Sequence, residues 1–348
     1  MTWKEWTGGV GERAVMEQRA LGRTGLRVSA LGFGGGAVGG LLVRGDHNDQ
    51  ARALARALEA GMTYFDTAPS YGHGRSEETL GRILGELEAW DRVVVGTKVR
   101  LQPADFSDPA AAIQRSCEDS LRRLRRDAVD LLQLHNPIAG GGTAGEPGVG
   151  SSRPLDLEAV SGRVAEGLQR VVARGLVRHI GITGLGDTTA LHAVVAAGQF
   201  ATVQTYFNAV NPSAGFPGRS GSAQDFAGLI GAAAAAGMGV ITIRAMAAGA
   251  LLAHPRRHPN AGDPGPLLAR GAEYERDLER AQAIRAIAAE LGYESPLELA
   301  LRFGLATPGI STVLVGFSDP GQLEDALRWA GREPLPSDVV RRVVDLAR

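Results

Sequence analysis

Cysteine occurs once in the 348 residues, at Cys117, so no disulfide can form within the chain and a thiolate metal site has no basis. A reducing compartment is the simplest setting, and the cytoplasm is the expected location. An excess of charge is also missing: 37 Lys and Arg face 38 Asp and Glu, for a net charge of -1. That balance gives neither nucleic acid nor an anionic membrane an electrostatic reason to bind. The charge-free apolar stretch from Phe226 to Ile243 divides at Gly237 to Gly239 into a helix and a strand, so it does not read as a membrane span. The first residues, with Lys4, Glu5, Glu12 and Arg13, lack the hydrophobic core of a secretory signal. Gly34-Gly35-Gly36, followed by Gly39, reads as a loop after the first strand.

What is present is alternation. Hydrophobic residues make up 44%, enough for a sizeable core. Val28 to Phe33 reads as an opening strand, and Ala51 to Ala60 as a helix stopped by Gly61. Met62 to Phe65 is a buried strand; Arg75 to Leu87 is an amphipathic helix carrying Leu80, Ile83, Leu84 and Leu87, with Ser76 as its cap. Arg92 to Thr97 is a Val-rich strand, and Asp108-Pro109 opens a helix whose apolar face holds Ile113, Cys117, Leu121 and Leu124. Cys117 is therefore a packing residue. Strands at Val129 to Leu134, Val177 to Ile182, Thr202 to Phe207, Val240 to Arg244 and Thr312 to Val315 follow. The helices between and after them are Leu157 to Ala173, Thr189 to Ala197, Phe226 to Ala236, Tyr274 to Leu291, Pro296 to Leu305 and Gln322 to Trp329. Eight strand–helix pairs predict an α/β fold, a (β/α)8 TIM barrel, with an open doubly wound sheet as the alternative. Residues 1–18 read as an N-terminal extension and 19–348 as one barrel domain. Long segments at Asn136 to Pro154, Asn211 to Gly221 and Ala253 to Gly271 each follow a strand, so they belong to the face that carries active sites. The third contains His254, Arg256, Arg257 and His258.

Polar residues interrupt the apolar runs at one end. Asp66 closes the second strand, Lys98 the third and His135 the fourth, while Tyr71 sits in the Pro69–Gly72 loop after Asp66. Taken singly, His135 suits a structural hydrogen bond and Lys98 an ion pair reaching solvent. On adjacent parallel strands they converge. Hydride addition to a carbonyl creates an alkoxide that needs a proton and positive potential. Tyr71 can donate the proton, Lys98 can stabilise the resulting phenolate, Asp66 can hold Lys98, and His135 can orient the carbonyl. The hydride itself requires an organic carrier.

From Arg19 to Trp329 the sequence resembles the aldo-keto reductases. The resemblance rests on Leu21-Gly22-Arg23-Thr24-Gly25-Leu26, Phe65-Asp66-Thr67-Ala68 with Tyr71-Gly72, Gly96-Thr97-Lys98, Asp130 to His135, Ile180 to Thr183, Val203-Gln204 and Val315-Gly316-Phe317-Ser318. It implies a barrel that binds NADP(H) or NAD(H) without a Rossmann domain, and a catalytic tetrad of Asp66, Tyr71, Lys98 and His135. It also implies cofactor contacts at Gly35, Gly36 and Asp66, at Thr183 and Gly184 in place of the usual Ser-Asn pair, and at Gln204. The nicotinamide-stacking aromatic falls at Ile243 or Arg244, neither of them aromatic. Gly316, Ser318 and Gln322 match the segment that grips the adenosine phosphate. That loop has no Lys or Arg and adds Asp319, so local chemistry favours NAD(H) where family habit favours NADP(H), the cofactor preferred here. No metal is implied. Gly181 to Leu185 and Tyr71-Gly72-His73-Gly74 resemble the sugar 1-dehydrogenase and pyridoxal dehydrogenase branch. The function implied is reduction of an aldehyde or ketone. The alternatives are oxidation of a sugar-like substrate by an NAD-dependent aldose 1-dehydrogenase, and a cofactor-sensing binding module with slow turnover.

Overall fold

The computed structural model describes residues 16–140, 153–220, 223–252, 257–264, 268–269 and 274–347. The apolar runs form eight strands: β1 (Leu31–Gly34), β2 (Tyr64–Asp66), β3 (Val94–Val99), β4 (Val129–Leu134), β5 (Val177–Gly184), β6 (Thr202–Tyr206), β7 (Gly239–Ile243) and β8 (Thr312–Gly316). Every neighbouring pair is parallel, and β8 returns to β1, so the sheet is a closed barrel. The expected (β/α)8 architecture is the one observed.

Side chains alternate between two environments, as the period of a strand requires. Phe33, Phe65, Val95, Leu132, Ile182, Val203, Val240 and Val313 belong to the large core beneath the helices. The intervening Tyr64, Val94, Leu131, Ile241 and Leu314 form a second cluster inside the barrel with Leu21 and Val28. Leu21 and Val28 come from an N-terminal hairpin, Gln18–Ala20 against Arg27–Ser29, which closes the bottom. Val28 to Phe33 is thus two strands, not one. Ala30 N–H donates to Glu17 O and ends the hairpin ladder, and Leu31 then pairs with β8. Residues 1–15 of the expected extension lie outside the described residues.

Helices α1 (His47–Glu59), α2 (Arg75–Glu86), α3 (Pro109–Leu124), α4 (Ala165–Ala173) and α5 (Thr188–Ala196) follow the first five strands where their periodicity places them. Two local expectations change. Ser76 is not the cap of α2: Gly74, in the left-handed region at φ 91°, takes that position. Ser76 Oγ instead donates to Gly35 O and accepts from Thr67 Oγ1, tying the starts of two loops together. The helix expected from Leu157 to Ala173 is broken, because Gly162 adopts a non-helical φ/ψ of -101°/-111°. Cys117 is buried on α3, and burial pushes its thiol up to about 12, consistent with a packing role.

Of the three long segments, 211–220 is packed rather than open: Asn211, Ser213 and Ala214 are buried, and Asn208 Oδ1 accepts from Val210 N and Asn211 N. Residues 141–152, and His254 and Arg256 in the third segment, lie outside the described residues. Among the described residues no helix is long and apolar enough to cross a membrane, and no group of His, Cys, Asp or Glu could hold a metal.

The outer layer has one very close approach. A Cβ on Gly81 of α2 would lie 2.6 Å from Leu124 O and 2.7 Å from Leu124 C, at the end of α3. Backbone cannot swing aside as a side chain can. Gly81→Ala is therefore expected to lower stability by about 1–3 kcal/mol in urea unfolding. An unchanged unfolding midpoint contradicts this packing.

Candidate active site

Register brings the polar strand ends together. Asp66 ends β2 opposite Gly34 on one side and Gly96 on the other. Lys98 lies opposite Gln133 across β3 and β4, and His135 follows β4 directly. By parity Val94, Gly96 and Lys98 face the interior, as do Leu131, Gln133 and His135. Gly96 leaves space that a side chain would fill: a Cβ there would sit 2.8 Å from the Tyr64 hydroxyl. Above the apolar inner cluster there is consequently a polar layer of Asp66, Lys98, Gln133 and Gln204.

Lys98 Nζ donates to Asp66 Oδ1 and, at 2.9 Å, to Thr67 O. Both side chains of the pair are 1% exposed. The other carboxylate oxygen, Oδ2, accepts from Gln204 Nε2 at 2.5 Å, Gln133 Nε2 at 3.4 Å and the Tyr64 hydroxyl at 3.5 Å. Burial pushes the Asp66 carboxyl up, while Lys98, Gln204 and Tyr64 pull it back toward the ionised form. Burial pushes Lys98 down, but Asp66 and Tyr71 overcome it and leave the ammonium above its usual range. On balance the carboxyl stays above its usual range, and the two groups titrate as a unit.

Tyr71 is presented by a tight loop. Its N–H donates to Ala68 O, its carbonyl accepts from Ser76 N, and Gly72, His73 and Gly74 all have positive φ. The phenol ring is caught between two members of the set. Lys98 Nζ is 4.7 Å from its centroid, and the His135 ring meets it edge-on, centroids 6.0 Å apart at 88°. Burial, then Lys98, then Arg100 hold the His135 imidazole well below its usual 6.5, so it is neutral at pH 7.

The cofactor-side residues fall into three groups. Gly36 opens onto the phenol: a Cβ there would first meet Tyr71 Cζ at 3.8 Å, so a side chain would cover the ring. Thr183, inside the barrel on β5, has a buried Oγ1 with no hydrogen-bond partner among the described residues. These two features fit a ligand lying over Tyr71 against β5. Gly35 and Gly184 serve packing, since a Cβ would meet Ser76 Oγ at 2.5 Å and Gln204 O at 2.9 Å respectively. Gln204 is already engaged by Asp66. Ile243 ends β7, and Arg244 (φ 63°) donates from Nη1 to Pro264 O at 2.6 Å, its charge disfavoured by burial. At the β8 loop, Ser318 Oγ donates to Gly39 O at 2.7 Å, and Ser318 N–H to Gln322 Oε1 at 2.9 Å. The exposed Gly316 lies beside Gly39. The polar neighbours of this loop come from other segments. His258 Nε2 is 3.7 Å from Asp319 Oδ2, and Arg44 Nε donates to Asn260 O, whose side chain donates to Ser318 O.

Three partners were not anticipated from sequence. Gln133 and Tyr64 each stand two residues before a recognised site residue, and strand parity alone would have placed them on the same face. Glu77 is fully buried, accepting from Thr97 Oγ1 at 2.6 Å and Arg123 Nε at 2.5 Å. Its spacing from Leu80 and Leu84, three and seven residues on, places it on the apolar face of α2 and was the available signal. A cavity of about 700 Å³ on the outside of α2 and α3, lined by Arg75, Arg82, Arg122 and Arg125 among others, contains none of the tetrad.

Removing one member of a buried ion pair strands the other charge, at a cost of about 3–5 kcal/mol. Lys98→Met should destabilise the protein by that order, and adding Asp66→Leu should recover part of the loss. A double variant as unstable as the sum of the two single variants, measured by denaturant unfolding, contradicts the pairing.

A family model described as the aldo/keto reductase family matches residues 30–348. L-galactose dehydrogenase of Arabidopsis thaliana is 28% identical over 316 residues, 89% of this chain and 86% of that protein. D-threo-aldose 1-dehydrogenase of a Pseudomonas species is 34% identical over 200 residues, 50% of this chain and 56% of that protein. Among solved structures, the holo form of an aldo-keto reductase from Bacillus halodurans superimposes with a TM-score of 0.69 at 23% identity, covering 96% of this chain and 97% of that one. The chain belongs to the aldo/keto reductase family and is an NAD(P)-dependent oxidoreductase.

Proposed function

We propose that the protein reduces an aldehyde or ketone to the alcohol, with Tyr71 as general acid and base. The observation that carries the reading is the Lys98 ammonium, held by Asp66, lying 4.7 Å from the Tyr71 ring centroid with neutral His135 against the ring edge. A bound nicotinamide supplies the hydride. Tyr71 gives its hydroxyl proton to the carbonyl oxygen as negative charge builds there. Lys98 favours the phenolate that remains, because a cation close by in a site of low dielectric stabilises the anion. Asp66 acts through Lys98: it fixes the ammonium and keeps it charged. His135, a neutral donor, orients the same oxygen. In the oxidative direction the Tyr71 phenolate takes the alcohol proton back.

Thr183 and Gly36 are proposed to receive the nicotinamide end, and Ser318 and Gln322 the adenosine end, with Gly316 beside them. NADP(H) is the preferred cofactor in this reading, supported by family habit and by Arg44, which is linked to the β8 loop through Asn260. The domain is proposed as a single barrel over 19–348 with 1–18 as an extension, working in the cytoplasm on a small carbonyl or sugar-like substrate. A second reading, an NAD-dependent aldose 1-dehydrogenase, is favoured by Asp319 in the β8 loop and by the relatives named for sugar oxidation.

Steady-state assays separate these readings. Oxidation of NADPH with a panel of aldehydes is expected, and turnover only of NAD with sugars would move the assignment to the second reading. Tight cofactor binding with no turnover in either direction would leave a sensing module and contradict the reductase. Fluorescence titration should give NADPH an affinity at least about threefold above that of NADH. Tighter binding of NADH contradicts the proposed role of Arg44.

A further inference from the structure

Arg100 takes no part in the tetrad, yet the barrel places it beside one member. The pairing Lys98↔Gln133 and Val99↔Leu134 continues past the strand ends. His135 N–H donates to Val99 O at 2.8 Å. One residue further, the Asn136 side chain clamps Leu101 with both amide atoms: Oδ1 accepts from Leu101 N at 2.8 Å and Nδ2 donates to Leu101 O at 2.9 Å. Arg100 and His135 are thereby fixed side by side. Strand parity turns both toward the barrel mouth, one layer above Lys98 and Gln133. Their side chains meet there, with Arg100 Nη2 3.4 Å from His135 Nδ1.

A guanidinium has five N–H donors and no acceptor. The imidazole nitrogen it faces must supply the lone pair, which leaves the ring proton on Nε2. We propose that Arg100 is a positioning residue that holds His135 as the Nε2–H tautomer, so that the ring presents a donor to the carbonyl oxygen. The inference deepens the reading of His135 as the orienting group, but it concerns a tautomer that can be observed without turnover.

The alternative tautomer has a clear chemical cost. With the proton on Nδ1, that N–H would point at a cation, and the site would face Nε2 as an acceptor. An acceptor repels a carbonyl oxygen, and more so the alkoxide that forms from it. Among the described residues, the charged and titratable groups facing the ring are Tyr71 from the loop after β2, Lys98 from β3 and Arg100 just past its end. Both cations oppose a second ring proton. Arg100 thus selects one neutral form from the three protonation states open to a histidine.

Nitrogen NMR of the imidazole in the full-length protein tests this directly. In the wild type a single Nε2–H tautomer should persist between about pH 6 and 8. In Arg100→Leu, both neutral tautomers should be populated, and the ring should titrate closer to 6.5 with one opposing cation gone. Arg100→Lys, which keeps a donor and a charge, should retain the wild-type tautomer. In steady-state reduction, Arg100→Leu should lose about tenfold in kcat/KM and gain an acid limb that Arg100→Lys lacks. An Nδ1–H tautomer in the wild type overturns the inference even if the leucine variant does not fold, and an unaltered spectrum in a folded Arg100→Leu does so as well. Failure of the reductase reading would appear as absent turnover in the wild type, with the tautomer still decided by its spectrum.

Discussion

The ion pair between Lys98 and Asp66 is the constraint around which the upper barrel is arranged. Two full charges sit inside a closed sheet at 1% exposure, where desolvation costs several kcal/mol per ion unless neighbours compensate. The compensation is specific. One carboxylate oxygen takes the ammonium, the other takes amides from β4 and β6 and a phenol from β2, and the ammonium also reaches Thr67 O. Each donor comes from a different strand or loop, so the pair fixes the relative heights of four barrel segments. Residues that would be inert alone, such as Gly96 making room for Tyr64, acquire a role through it.

From that pair the chemistry builds outward by one layer. Tyr71 and His135 lie above it, the first on a loop held by Ala68 and Ser76, the second on a strand end held by Val99. The loop matters as much as the strands. Ser76, bonded to Thr67 and Gly35, couples the Tyr71 loop to the glycines after β1. The phenol is therefore positioned by the same backbone that borders the proposed cofactor site. Its neighbours divide the work: a cation on one face, a neutral donor at the edge. Arg100 adds a constraint on that donor from the layer beside it.

Much of this was legible in the sequence. Alternating apolar segments gave all eight barrel strands, and Asp66, Lys98 and His135 were visible because each breaks an apolar run at the same end. The chain also carries enough family motifs for the proposed tetrad to be placed residue by residue. What escaped was tertiary. Val28 to Phe33 is continuous in composition, and only pairing partners show that it changes sheets at Ala30. Ser76 looks like a cap, but the left-handed Gly74 takes that position and frees the hydroxyl for a bond across loops. Glu77 and Arg123 are 46 residues apart, and helical spacing carries no trace of their contact. Ser318 and Gln322 match a cofactor segment by motif, while their side chains serve Gly39 and the start of the helix at Pro320–Ala330. Arg100 and Gln133 were within reach, since a period of two from Lys98 and His135 points to both.

In the proposed mechanism one hydroxyl supplies the proton that completes carbonyl reduction, and the buried pair beneath it supplies the electrostatics that make this feasible. Everything else in the site positions that hydroxyl, its cation or the carbonyl. The most direct measurement is single-turnover reduction of an aldehyde by Tyr71→Phe, alongside cofactor binding by the same variant. Loss of about 10²–10⁴-fold in the rate, with cofactor affinity close to that of the wild type, is the predicted result. A variant that keeps most of its rate, or one that loses the cofactor together with the rate, would contradict the assignment of Tyr71 as the proton donor.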